Sequence, residues 1–202
     1  MNISVSIILF WVTAFLLGSI PTAYLAGRIF KGVDIRLHGS GNVGATNAFR
    51  VLGKKIGALV FAIDFLKGFL PAALLPLCLP QGHLDVREVG LWIGTGAVAG
   101  HVFTPFLDFK GGKGIATGGG VLCGSFPLLF LITLVIWVAV FIMTRIVSIS
   151  SLIASASLVI SSTLFGLKKS IILTFFLIAL FIIWTHRSNI FRIINGSENK
   201  PS

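Results

Sequence analysis

Acidic residues are scarce in this chain, with six Asp and Glu against sixteen Lys and Arg among 202 residues. Metal-dependent phosphotransfer needs several converging carboxylates, and no His/Cys cluster has the spacing of a metal site either. We therefore expect no metal and no other cofactor. Cysteine is scarcer still. Cys78 and Cys123 both lie in apolar runs, where a free thiol behaves as a small hydrophobe, and their spacing does not support a disulfide. Charge of either sign is low at 11%, against 55% hydrophobic residues and a mean hydropathy of +1.01, far from a soluble domain.

What the chain does have is apolar runs of membrane-crossing length. A helix needs roughly 20 residues to cross a hydrocarbon core, and about seven such elements fit, making an all-α, polytopic membrane protein. The clear ones are about Ser4 to Gly27, Ile56 to Leu79, Val89 to Leu107, Ile146 to Leu167 and Ser170 to Trp184. The uncharged stretch from Ile115 to Thr144 would be roughly 45 Å long as one helix, too long for one upright crossing. Gly118, Gly119, Gly120, Gly124, Ser125 and Pro127 are expected to break it into a short glycine-rich span to about Cys123 and a full one from Leu128.

The net charge of +10 does not mark a nucleic-acid binder, because the basic residues lie in loops between spans. The chain opens Met-Asn-Ile-Ser without a basic leader region, and Arg28, Lys31 and Arg36 follow the first span. That predicts an uncleaved first span with the N-terminus outside and the C-terminus cytoplasmic. The inner loops so defined hold twelve of the sixteen Lys and Arg. Residues 1–197 are expected to form a single transmembrane domain and 198–202 a short, frayed polar tail.

Four constellations then fall on the inner face. Gly39-Ser-Gly-Asn-Val-Gly-Ala-Thr-Asn-Ala-Phe-Arg50 resembles an anion cradle. Gly39 and Gly41 let backbone N–H groups approach a phosphate, Ser40, Asn42, Thr46 and Asn47 can donate, and Arg50 can fork two oxygens. It is neither Gly-x-Gly-x-x-Gly nor a Walker loop, and an ordinary glycine turn before an amphipathic helix would read similarly. The second constellation follows Gly100-His101, where Lys110 and Lys113 bracket Gly111 and Gly112 at a helix start, a favourable place for an anion. His101 itself lies inside a span, as core or as site. Ser148, Ser150 and Ser151 form the third, with helix packing as the alternative. His186 and Asn189 form the fourth, three apart and so on one side of a helix. Asp64 and Lys67, charges within a span, can pair with each other at i and i+3; otherwise Lys67 borders the polar cavity.

These motifs, in this order and spacing over almost the whole chain, resemble those of the bacterial acyl-phosphate:glycerol-3-phosphate acyltransferases. The residues that carry the resemblance are Gly-Ser-Gly-Asn-Val-Gly-Ala-Thr-Asn with Arg50, Gly100-His101 with Phe109-Lys-Gly-Gly-Lys-Gly, Val-Ser after Arg145, and His186-Arg-x-Asn-Ile. The resemblance implies transfer of a fatty acyl group from a long-chain acyl phosphate to the 1-hydroxyl of glycerol 3-phosphate. The products would be lysophosphatidate and phosphate, made at the cytoplasmic surface of the bacterial inner membrane among membrane lipids. It further implies Ser40, Arg50, Lys113, His186 and Asn189 as catalytic residues. Gly39, Gly41, Asn42, Thr46, Asn47, His101, Lys110, Gly111, Gly112 and Ser148 would bind substrate. One departure is Thr185, where family members carry a basic residue. An organic-phosphate transporter is the rival reading, since a broken glycine-rich helix and charge within a span also suit transport.

Overall fold

The computed structural model describes residues 3–80 and 85–198, all helix, turn or loop. His83 and the last four residues of the expected tail lie outside the described residues. Two compact units emerge, one ending at Phe126 and one beginning at Pro127.

The first unit contains α1 (Ile3–Ser19), α2 (Thr22–Lys31), α3 (Ala45–Leu52), α4 (Lys54–Leu74), α5 (Val86–Val102) and α6 (Ile115–Ser125). The expected first span is interrupted at Ile20-Pro21, where proline lacks the N–H that would continue the ladder, and α2 then runs on to Lys31. Within a bilayer the carbonyls freed by such a break need partners. Thr104 Oγ1 donates to Ser19 O at 2.6 Å and Lys67 Nζ donates to Ile20 O at 3.1 Å.

Small residues let these helices touch backbone to backbone, the packing mode of helices in lipid. A Cβ at Gly18 would collide with the Ala97 carbonyl, one at Gly96 with that of Trp11, and one at Gly100 with that of Phe15, so α1 lies directly on α5. Gly68 and Gly120 do the same for α4 and α6, against the carbonyls of Thr117 and Phe65. An apolar cluster of Ala23, Ala26, Ile35, Val43, Ala48, Leu52, Val60 and Leu107 joins α2, α3 and α4 to both polar loops.

The second unit contains α7 (Pro127–Thr144), α8 (Val147–Leu164), α9 (Lys169–Thr185) and α10 (Arg187–Ile194). The glycine-rich stretch does break before Pro127, as expected. Ser150 and Ser151 back-bond to Ile146 O and Val147 O, both at 2.9 Å, and Trp137 Nε1 donates to Ser151 Oγ at 3.1 Å. Ser151 thus serves the contact between α7 and α8, and Ser150 bonds only to the backbone at the start of its own helix. α10 turns 60° from α9.

Each expected span overlaps helical structure, the first of them two helices rather than one. Among the described residues, four helical segments are long and apolar enough to cross a membrane: Ile3–Lys31, Lys54–Cys78, Pro127–Thr144 and Val147–Leu164. The bent α9–α10 pair makes a fifth, whereas α5 (17 residues) and α6 (11 residues) fall below that length. The expected third span ends at Val102 rather than Leu107, because the chain turns at Phe103 and Thr104. Both cysteines are free, and Cys78 is exposed rather than buried.

Candidate functional site

In the first unit the Gly39–Arg50 loop is shaped by its own backbone demands. Gly39 and Gly41 have φ of 62° and 72°, in the left-handed region that glycine enters without penalty. Asn47 is the brace: its Oδ1 accepts from Ser40 N at 2.9 Å, and its Nδ2 donates to His38 O at 3.0 Å and Ile35 O at 3.3 Å. Asn47 is 1% exposed, so its donors are spent inside the loop rather than offered to an anion. Upstream, Asp34 is clamped by Arg36 at 2.8 Å and Arg28 at 3.2 Å. The hydrogen bonds and charge of Arg36, with the charge of Arg28, hold its carboxyl down at about 2. Two of the loop's cations are thereby committed to structure.

The remaining groups are not. Among the described residues, the side chains of Ser40, Asn42, Thr46, Arg50 and Lys110 make no hydrogen bond or ion pair with another residue. Thr46 and Arg50, four apart on α3, share its exposed face. Donors held on a braced loop, with their hydrogen-bonding capacity unspent, suit an incoming anion.

The second cluster is a turn built back onto the end of α5. Phe109 N donates to Thr104 O at 3.0 Å, Lys110 N to Leu107 O at 2.9 Å, Gly111 N to Val102 O at 2.9 Å and Gly112 N to His101 O at 3.1 Å. Asp108 and Phe109 both have left-handed φ, 52° and 59°, a conformation non-glycine residues hold only when their surroundings impose it. Lys113 and Gly114 lead directly into α6. His101 is 7% exposed, packed against Gly112. Val43 of the first loop and Gly112 of the turn line one small pocket with Lys67, His101 and Thr104.

In the second unit, His186 and Asn189 are both buried where α9 bends into α10, and Ser148 is buried at the start of α8. His186 Nδ1 lies 2.8 Å from Ile182 O. Because a carbonyl oxygen can only accept, Nδ1 carries a proton in that contact. Ser148 Oγ and Asn189 Nδ2 both donate to Glu198 Oε1, the former at 2.8 Å, and Arg192 Nε donates to Glu198 Oε2 at 2.8 Å. Two expected phosphate donors thus already converge on an oxyanion, supplied here by the chain itself.

Glu198, expected in the frayed tail, is instead the tie between α8 and α10. The available signal was its isolation, as the only acid after Asp108. Burial would raise its pKa, but hydrogen bonds from Asn189, Arg192 and Ser148 and the charge of Arg192 outweigh that and hold it below its ordinary value. A depressed folded-state pKa means the tie is at full strength above the ordinary glutamate pKa and weakens only as pH falls through the lower folded value. Hydrogen exchange at residues 195–198, corrected for intrinsic rates, is expected to speed up several-fold at pH 7 in Glu198→Ala. The wild type should match that rate only in strong acid; equal protection in both proteins at pH 7 refutes the tie.

Residues 8–196 match the family described as glycerol-3-phosphate acyltransferase. Proteins of that name from Bacillus velezensis and Bacillus subtilis are 45% identical over 189 residues, covering 94% of each chain. One from Macrococcus caseolyticus is 46% identical over 187 residues, covering 93% of each. The crystal structure of PlsY, an integral membrane glycerol 3-phosphate acyltransferase, in its glycerol 3-phosphate form, is similar with a TM-score of 0.87 and 38% identity. The match covers 98% of this chain and 96% of that one. With motifs, all-helical fold and near full-length similarity in agreement, this membrane protein belongs to the glycerol-3-phosphate acyltransferase family.

Proposed function

We propose that the chain transfers a fatty acyl group from a long-chain acyl phosphate to the 1-hydroxyl of glycerol 3-phosphate, working as a single transmembrane domain of seven crossings. Its N-terminus is outside and its site faces the cytoplasm at the bacterial inner membrane. The observation that carries this is the braced Gly39–Arg50 loop with its unspent donors beside a second, lysine-bracketed glycine turn in the same unit. The family's name supplies the acceptor, and the solved relative in glycerol 3-phosphate and lysophosphatidic acid forms supports both acceptor and product.

Gly39, Ser40, Gly41, Asn42 and Thr46 face the acyl phosphate. Arg50, Lys110, Gly111, Gly112, Lys113, Ser148, His186 and Asn189 hold phosphate oxygens. An acyl phosphate is already activated, so the protein's task is to align two anions and stabilise the charge that develops on the carbonyl and leaving oxygens. The glycerol oxygen bonds to the acyl carbon, the bond from that carbon to the phosphate oxygen breaks, and the departing phosphate, held by Lys113 and Arg50, takes the hydroxyl proton. No step calls for a protein base, metal or cofactor. The His-x4-Asp pattern of soluble acyltransferases is absent: five on from His38, His83, His101 and His186 stand Val43, Glu88, Phe106 and Phe191, and the nearest, His83 with Glu88, falls in the expected outer loop.

The test is purified protein in detergent with palmitoyl phosphate and labelled glycerol 3-phosphate, following lysophosphatidate, with acyl-CoA as the comparison donor. Product from the phosphate donor alone is expected. Product from acyl-CoA alone overturns the donor. Saturable glycerol 3-phosphate flux in proteoliposomes without product would make the motifs a transport site.

A further inference from the structure

Asp64, Lys67 and His101 are buried in the first unit, at 1%, 8% and 7% exposure, and the transfer chemistry above makes no use of them. We propose that these three side chains form a positioning relay that holds the Lys110–Gly114 turn in its anion-binding shape. The proposal rests on reading that turn as a phosphate site. Matched buried charges rarely add net stability over apolar residues of similar size, so a pair placed inside a span calls for another role.

The geometry supplies that role. Lys67 Nζ lies 2.9 Å from Asp64 Oδ1 and also donates to Ile20 O at 3.1 Å, which anchors the pair to the break between α1 and α2. Asp64 Oδ1 is in turn 3.7 Å from His101 Nδ1, a charge contact longer than a hydrogen bond. The opposite edge of the ring meets the turn: a Cβ at Gly112 would collide with His101 Nε2, and one at Gly111 with the His101 carbonyl. The His101 carbonyl also accepts from Gly112 N at 3.1 Å. The turn is therefore seated on His101 through both ring and backbone. It needs such a seat, because Asp108 and Phe109, which lead into it, hold left-handed φ.

The same relay reaches the first loop. The small pocket lined by Lys67, His101 and Thr104 has Val43 and Gly112 in its wall, with room for roughly one water molecule. Lys67 thus lies beneath both anion loops, and His101 acts as a positioning residue through the glycines above it.

Asp64→Asn, Lys67→Met, the double variant, His101→Ala and His101→Gln, each in the purified full-length protein, test this by thermal midpoint and by calorimetric affinity for glycerol 3-phosphate. Each charge variant alone should lower the midpoint, because it strands one buried charge. The double variant should recover the midpoint yet bind glycerol 3-phosphate more weakly by on the order of tenfold, as a displaced binding group does. His101→Ala should weaken binding similarly, and His101→Gln should restore part of it. A double variant with both midpoint and affinity of the wild type would reduce the pair to a structural ion pair and overturn the relay, as would wild-type affinity in His101→Ala. Affinity is read without turnover, so a wild-type protein that binds glycerol 3-phosphate but makes no lysophosphatidate refutes the reaction and leaves this comparison standing.

Discussion

Arg50→Ala and Lys113→Ala are each expected to lower kcat on the order of 100- to 1000-fold, the usual loss when one fixed donor to a developing oxyanion is removed. The guanidinium sits on the exposed face of α3, four residues from Thr46, on a loop whose shape is maintained by Asn47 rather than by Arg50. Deleting it should therefore leave the folded protein intact and remove charge only from the site. Arg50→Lys keeps the charge and loses the fork, so it should fall between wild type and Arg50→Ala. Because both groups act on phosphate oxygens, the double variant should lose less than the product of the two single losses. The decisive reading is kcat/KM at low glycerol 3-phosphate. Near-normal turnover in both single variants would remove these residues from the site, and with them the idea that the leaving phosphate serves as proton acceptor.

Asn47→Ala offers a contrast within the same loop. Its amide donates twice and accepts once, all within residues 35–47, so the loss should appear as a misshapen loop rather than as a missing ligand. This distinction could not be drawn from sequence. Asn47 stands among Ser40, Asn42 and Thr46 and shares their donor chemistry; only its burial separates brace from ligand. The same limit applies to Glu198, whose three partners come from residues 148, 189 and 192. Local properties were legible: the apolar runs, the i,i+3 pairing of Asp64 with Lys67, and the break before Pro127. Pro21 carried the same breaking signal as Pro127 but stood in a run of single-crossing length, so nothing in that length called for a break, whereas Ile115 to Thr144 was too long for one crossing. The third member of the Asp64–Lys67 group, His101, depends on how α4 meets α5, which no local pattern encodes.

The contact between α4 and α6 gives the largest expected effect on folding. Gly68→Ala and Gly120→Ala each place a methyl group against a backbone carbonyl of the facing helix, Thr117 O and Phe65 O respectively. A side chain in the way can rotate; a carbonyl within a helix can move only if the whole helix moves. Overpacking commonly costs about 1–3 kcal/mol, and this geometry belongs at the upper end or beyond. Against a total of roughly 5–15 kcal/mol for a folded domain, the two substitutions together should abolish the monodisperse detergent-solubilised protein. Gly118→Ala is the matched control: a Cβ there meets nothing within 4 Å, and alanine improves helix propensity by about 1 kcal/mol. Its thermal midpoint should equal or exceed that of the wild type. If Gly68→Ala and Gly120→Ala melt where Gly118→Ala does, the helices can separate without cost, and close backbone packing is not what places the Lys110–Gly114 turn above α4. If they fail while Gly118→Ala survives, the glycines of α6 divide by what faces them, and the anion turn at its N-terminus inherits its position from that contact.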